Sequence, residues 1–126
     1  MAALPAARQA AELDQMSAGQ RSIAGTVPCA FRPPYGDYDP ATLGLAQQRR
    51  TGVWLWSVDT QDWMAEGSGS SSWVHRIIRL AEQEGGALRH PIVLMHNQPI
   101  GNPATVSALP AIIQFFRSHG YRLVTL

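Results

Sequence analysis

Four short apolar runs, VPCAF (27–31), VWLWSVD (53–59), PIVLMH (91–96) and YRLVTL (121–126), alternate with four segments of helical character. This order, α-β-α-β-α-β-α-β with short connections, constrains the chain more than any other feature. Strands separated by a helix pair in parallel, because a hairpin turn is too short to hold the crossover. The nearly unbroken apolar character of VWLWSVD suits a strand covered on both faces. The spacing predicts a first helix over 4–24, where Leu4, Ala7, Ala11, Leu13 and Ile23 stand among Ala, Gln and Arg and Gly25 is the stop. A second runs from Asp39 as N-cap and Pro40 at the first helical position to Arg50. A third covers 73–84, with Trp73, Ile77, Leu80 and Ala81 at helical spacing between GSGSSS (67–72) and Gly85–Gly86. The fourth spans 103–119, with Val106, Leu109, Ile113 and Phe116 expected to face inward and Gly120 to close it. The expected fold class is α/β: four alternating βα units with parallel strands, either an open sheet or a portion of a β/α barrel.

The 126 residues suit one domain and are short for two, so a single domain over 1–126 is expected. Hydrophobic residues at 45% and charged residues at 15% exclude disorder, which needs the reverse balance. A net charge of +1, with no basic cluster longer than Arg49–Arg50, argues against nucleic acid as a partner. Cys29 is the only cysteine, which excludes an internal disulfide and a Cys-rich zinc site. No apolar stretch approaches the roughly 18 residues needed to span a membrane. The opening MAALPAARQAAELDQM lacks the basic start and apolar core of a signal peptide and reads as a helix.

In open α/β sheets and β/α barrels alike, function gathers at the C-terminal ends of the strands. Three loops therefore matter: RPPYGDYD, DTQDW and HNQP. They hold Arg32, Asp37 and Asp39; Asp59, Asp62 and Trp63; and His96 and Asn97, almost all the catalytically capable side chains. Each alone has a structural explanation. An Arg before Pro-Pro is usually a surface residue, and an Asp after a strand is usually a cap or turn former. Their coincidence at strand ends is what points to chemistry, since an Asp beside a His is the arrangement that makes an imidazole a general acid. His75, His90 and His119 lie on helices or before a strand, at no spacing that makes a metal face.

FRPPYG (31–36), WSVDTQDW (56–63) and IVLMH (92–96), in this order and at this spacing, resemble the third, fourth and fifth motifs of the polysaccharide deacetylases. These are the NodB-homology enzymes of carbohydrate esterase family 4, and the resemblance covers essentially the whole chain through YRLVTL. It implies a distorted β/α barrel in which a divalent metal, usually zinc, activates the water that removes N-acetyl groups from N-acetylglucosamine polymers. Chitin, chito-oligosaccharides and peptidoglycan are the implied substrates. By this resemblance Arg32 orients the catalytic base, the Tyr35 backbone N–H helps hold the oxyanion, and Asp62 tunes the acid. Trp63 lines the sugar groove, Leu94 contacts the acetyl methyl, and His96 protonates the leaving amine. The resemblance leaves room for Asp59 to share the Asp62 role, and the sequence does not separate the two. Asn97 stands where the family often has Asp.

The larger departure is an absence. The first motif of the family, with its base and metal-binding Asp residues, and the second, His-x-x-x-His, are not in this sequence. The opening helix resembles the one that follows the second motif. The expectation is thus the C-terminal portion of a NodB-homology domain, from a misplaced start or a truncation, inactive alone and binding no zinc in the family's way, which needs three protein ligands and an open position. The other readings are a non-catalytic carbohydrate-binding remnant that uses Trp63 and the other Trp residues as stacking platforms, against which core packing of Trp54, Trp56 and Trp73 is the favoured expectation, and an unrelated open α/β domain. The family is usually secreted or cell-surface, and this chain carries no sequence signal that fixes its compartment. A partial barrel leaves strand edges and apolar faces open, at roughly 25 cal/mol per Å² of exposed apolar surface. Pairing of two copies through that open side, a homodimer, is expected.

Overall fold

The computed structural model describes residues 1–97 and 101–125. Residues 98–100, in the loop expected after PIVLMH, and Leu126, at the end of the expected last strand, lie outside the described residues. The chain divides into two compact units, Met1–Leu55 and Trp56–Leu126.

In the first unit, helix α1 covers Ala6–Ala24 and ends at Gly25, whose φ of 70° is the left-handed conformation glycine adopts without a Cβ penalty. Strand β1 (Ala30–Phe31) leads through a 3₁₀ turn at Pro34–Gly36 into α2 (Pro40–Gln48) and then β2 (Gly52–Val53). The two strands are parallel, with Ala30 opposite Gly52 and Phe31 opposite Val53. Asp39 caps α2 as expected: its Oδ1 accepts the Thr42 backbone N–H at 2.7 Å, and the Thr42 hydroxyl returns to the Asp39 N–H in a capping box. The cap also joins the two helices. Buried Gln9 of α1 donates to Asp39 Oδ2 at 3.2 Å, and its Oε1 lies 2.5 Å from the Thr42 hydroxyl. These donors, the Thr42 backbone N–H foremost, hold the Asp39 carboxyl below its ordinary value. Its contribution to stability is therefore present above the unfolded-state value and fades as pH falls through the lower folded one. Asp37 and Asp39 thus both have structural partners, since Asp37 pairs with the N-terminal ammonium at 2.9 Å.

In the second unit, β3 (Val58–Asp59) precedes a 3₁₀ turn at Asp62–Ala65, and α3 (Ser71–Gly85), β4 (Val93–Leu94) and α4 (Pro103–Ser118) follow. β3 and β4 are parallel, Val58 opposite Val93 and Asp59 opposite Leu94. The core lies between α3 and α4. Ile77 and Ala81 meet Ala104, Ala108, Ile112 and Phe116 there, and Trp73 packs against its margin.

Four sequence expectations change. VWLWSVD is not one strand: the Trp54 N–H donates to Phe31, whereas the N–H groups of Ser57 and Val58 both donate to Ile92, so the run changes partner between them. The described strands accordingly form two parallel pairs. Trp54 is 42% exposed rather than core, its indole folded back over Gly52. On α4 Phe116 is buried as expected, but its companions on the inward face are Ala104, Ala108 and Ile112, while Val106 and Leu109 are exposed. Small residues let α4 lie close against α3, and close approach selects that face over the one with larger aliphatic side chains. Residues 121–125 form no strand. The Tyr121 hydroxyl instead donates to Leu88 O at 2.7 Å, and Leu123 and Val124 are exposed.

The tightest point of the core is Gly85. A Cβ there would meet Phe116 Cζ at 2.6 Å. That ring is buried and stands edge-on to both Phe115 and Tyr121, so it has nowhere to turn. Gly85→Ala should therefore destabilise the chain by about 1–3 kcal/mol despite its better helix propensity. Gly19→Ala, where a Cβ meets nothing within 4 Å, should instead stabilise α1 by up to ~1 kcal/mol. Denaturant midpoints of both variants test this, and a Gly85→Ala midpoint at or above wild type would contradict it.

Candidate active site

The site grows from the turn after β3. Asp59 Oδ1 accepts the Gln61 backbone N–H at 2.9 Å, a local Asx-type bond that closes the turn. Gln61 takes a φ of 54°, and its side-chain oxygen accepts from Arg76 on α3. The reversal delivers Asp62 to the first position of the 3₁₀ turn, where its side chain is completely buried.

An isolated buried carboxylate is very costly, and burial is tolerated only where hydrogen bonds surround it. Asp62 meets that demand. Its Oδ2 accepts the His96 backbone N–H at 2.7 Å and the Thr105 hydroxyl at 2.8 Å. Its Oδ1 lies 2.7 Å from His96 Nδ1. Its main-chain oxygen accepts Asn102 Nδ2 at 3.0 Å. His96 follows β4, so the end of one strand and the turn after its parallel neighbour converge on one carboxylate. The Thr60 hydroxyl strengthens the junction by donating to Leu94 O at 2.8 Å. Against an ionised Asp62, His96 Nδ1 carries the proton and donates it, which leaves Nε2 for a reacting group. The His96 side chain is 30% exposed, enough to be reached. The pair can therefore orient an imidazole for proton transfer.

The other residues singled out in the sequence are distributed as follows. Asp62, not Asp59, reaches His96; Asp59 forms the turn, and its backbone N–H donates to Glu84. Trp63 is 49% exposed beside the buried Asp62, and Leu94 is buried. Arg32 and Tyr35 belong to the first unit, just beyond β1, and both are exposed. Tyr35 holds a φ of 58°, a conformation that costs a non-glycine residue energy and tends to persist at functional sites. Asn102 and Thr105 escaped sequence reasoning. NPAT (102–105) has the pattern of a helix start, but Asn102 makes no cap bond and turns to Asp62 instead. Its partner lies 40 positions away, beyond any local pattern.

Among the described residues, no three His, Cys, Asp or Glu side chains gather where they could hold a metal ion. His75 and His90 are exposed, and the His119 ring stacks on Phe115 at 4.2 Å between centroids. This donor set does not fit a hydrolytic zinc site, which takes three protein ligands.

No family profile matches the sequence. It is 31% identical over 105 residues to a peptidoglycan-N-acetylglucosamine deacetylase of Bacillus cereus, covering 82% of this chain and 35% of that protein. Over 59 residues it is 37% identical to chitin deacetylase 2 of Cryptococcus neoformans, 47% of this chain and 13% of that one. Among solved structures, a peptidoglycan N-acetylglucosamine deacetylase superposes on 98% of this chain and 54% of its own length, with a TM-score of 0.84 and 26% identity. The chain is a homologue of the polysaccharide deacetylases, the family 4 carbohydrate esterases, and has the α/β fold of part of such a domain. It spans about a third of the length of the Bacillus cereus relative.

Asp62→Ala would strand the His96 N–H and the Thr105 hydroxyl without an acceptor. At about 1–3 kcal/mol for each buried orphan, the variant should lose at least ~2 kcal/mol, even though a buried charge has been removed. A urea midpoint equal to wild type would contradict the network described.

Proposed function

We propose that this chain supplies the proton-donating part of a polysaccharide N-deacetylase site, with His96 as general acid and Asp62 as the residue that orients it. The observation that carries the reading is the 2.7 Å pairing of His96 Nδ1 with a fully buried carboxylate at the C-terminal end of a parallel strand pair. In amide hydrolysis the C–N bond breaks only as the leaving nitrogen gains a proton; His96 in its imidazolium form, with Nδ1–H held by Asp62, delivers that proton from Nε2–H and is left as the neutral Nδ1–H tautomer. The substrate class is an N-acetylglucosamine polymer, chitin-like or peptidoglycan, as the names of the relatives suggest. Exposed Trp63 and Met64, next to Asp62, offer an apolar face to a sugar ring. Arg32 and the Tyr35 backbone take the roles of base-orienting residue and oxyanion donor, and Leu94 that of acetyl contact.

The groups that activate water in the family's pattern, a divalent metal with its ligands and a carboxylate base, are not found among these 126 residues, and in this reading another polypeptide segment supplies them. The chain is then inactive by itself. A second reading, carbohydrate binding without turnover, is favoured only by the exposure of Trp63. The two separate in one experiment. The chain is joined behind a segment of a relative that carries the Asp-Asp and His-x-x-x-His motifs, and acetate release from N-acetylated chito-oligosaccharides and peptidoglycan is measured with added zinc. Expected are no release from the chain alone, release from the chimera, and a loss of about 10²-fold or more on His96→Ala. Release by the chain alone would overturn the claim that it lacks the water-activating part. A folded chimera that binds the oligosaccharide without hydrolysing it would overturn the catalytic role of His96.

A further inference from the structure

Resting on that reading of His96 and Asp62, we infer that Thr105, in the first turn of α4, is a positioning residue: its hydroxyl fixes the rotation of the Asp62 carboxylate and thereby the tautomer of His96. A carboxylate turns about its terminal torsion with only a broad, two-fold preference, so nothing intrinsic to Asp62 holds Oδ1 toward the imidazole. Its surroundings do. Oδ2 is engaged by two donors from different elements, the His96 backbone N–H at 2.7 Å and the Thr105 hydroxyl at 2.8 Å, and Oδ1 is left to face Nδ1.

Thr105 suits this task in three ways. It is β-branched, so few side-chain rotamers are open to it on a helix. It lies only 7% exposed between Ala104 and Ala108 of the core, so its hydroxyl direction is set by packing. Helical Thr often returns its hydroxyl to the carbonyl one turn back, yet this one donates to Asp62. Three residues earlier, Asn102 grips the Asp62 main-chain oxygen, so the same turn of α4 holds both the backbone and the carboxylate.

The test needs no substrate. Side-chain ¹⁵N NMR of His96 in the full chain, recorded where the ring is neutral, reports which nitrogen carries the proton. Wild type and Thr105→Ser should show a single Nδ1–H form, and Thr105→Val and Thr105→Ala should show a mixture with the Nε2–H form. A merely structural residue would lower the melting temperature without moving this signature, and Ser would not rescue it. An unchanged tautomer in Val or Ala overturns the inference, as does an Nε2–H form in wild type. Collapse of the fold in both hydroxyl-free variants, with Ser folded, would make Thr105 structural and equally overturn it. Because the readout is independent of turnover, a chimera that fails to release acetate sinks the deacetylase reading alone, and an unmoved tautomer sinks only the role of Thr105.

Discussion

The second unit is organised around a buried carboxyl group, that of Asp62. Burying a carboxylate carries a penalty of several kcal/mol that only donors can offset, and here three donors come from two elements: the backbone N–H and the ring of His96 in the loop after β4, and the Thr105 hydroxyl in the first turn of α4. Each of these has to be in place for the others to be satisfied. The same requirement explains why α4 packs on its small-residue face, since that orientation brings Thr105 and Asn102 to Asp62 while Ala104 and Ala108 meet α3. Packing and chemistry are thus two results of one constraint.

The first unit uses polar burial differently. Gln9, Asp39 and Thr42 form a compact knot that caps α2 and ties it to α1, and Arg49 reinforces the pair with two 2.8 Å bonds to Asp14. None of these groups is left over for chemistry. Arg32 and Tyr35 are exposed and take no part in that knot.

Much of this was legible in the sequence. Helix positions followed from Gly25, the Asp39–Pro40 start and Gly85–Gly86, because caps and breakers act within a few residues. The Asp62–His96 pairing was foreshadowed by the motifs, although Asp59 and Asp62 could not be separated until the turn showed that Asp59 bonds locally to Gln61. What stayed hidden was set by distant contacts. VWLWSVD reads as one strand because apolar periodicity carries no record of which neighbour accepts each N–H. On α4 size-ranked hydrophobicity points to Val106 and Leu109, whereas close approach to α3 requires the alanines. Thr105 and Asn102 looked like ordinary residues of a helix start.

The exchange rate of the His96 backbone amide is the most direct measure of whether the buried carboxylate holds the second unit together. This amide lies outside every helix and strand, so sequence and secondary structure alone would leave it to exchange as fast as loop amides such as Gly69. Its donation to buried Asp62 predicts protection comparable to amides within α3 and α4, because it opens only when the network does. Protection at that level supports the account; exchange at the rate of an open loop would contradict it.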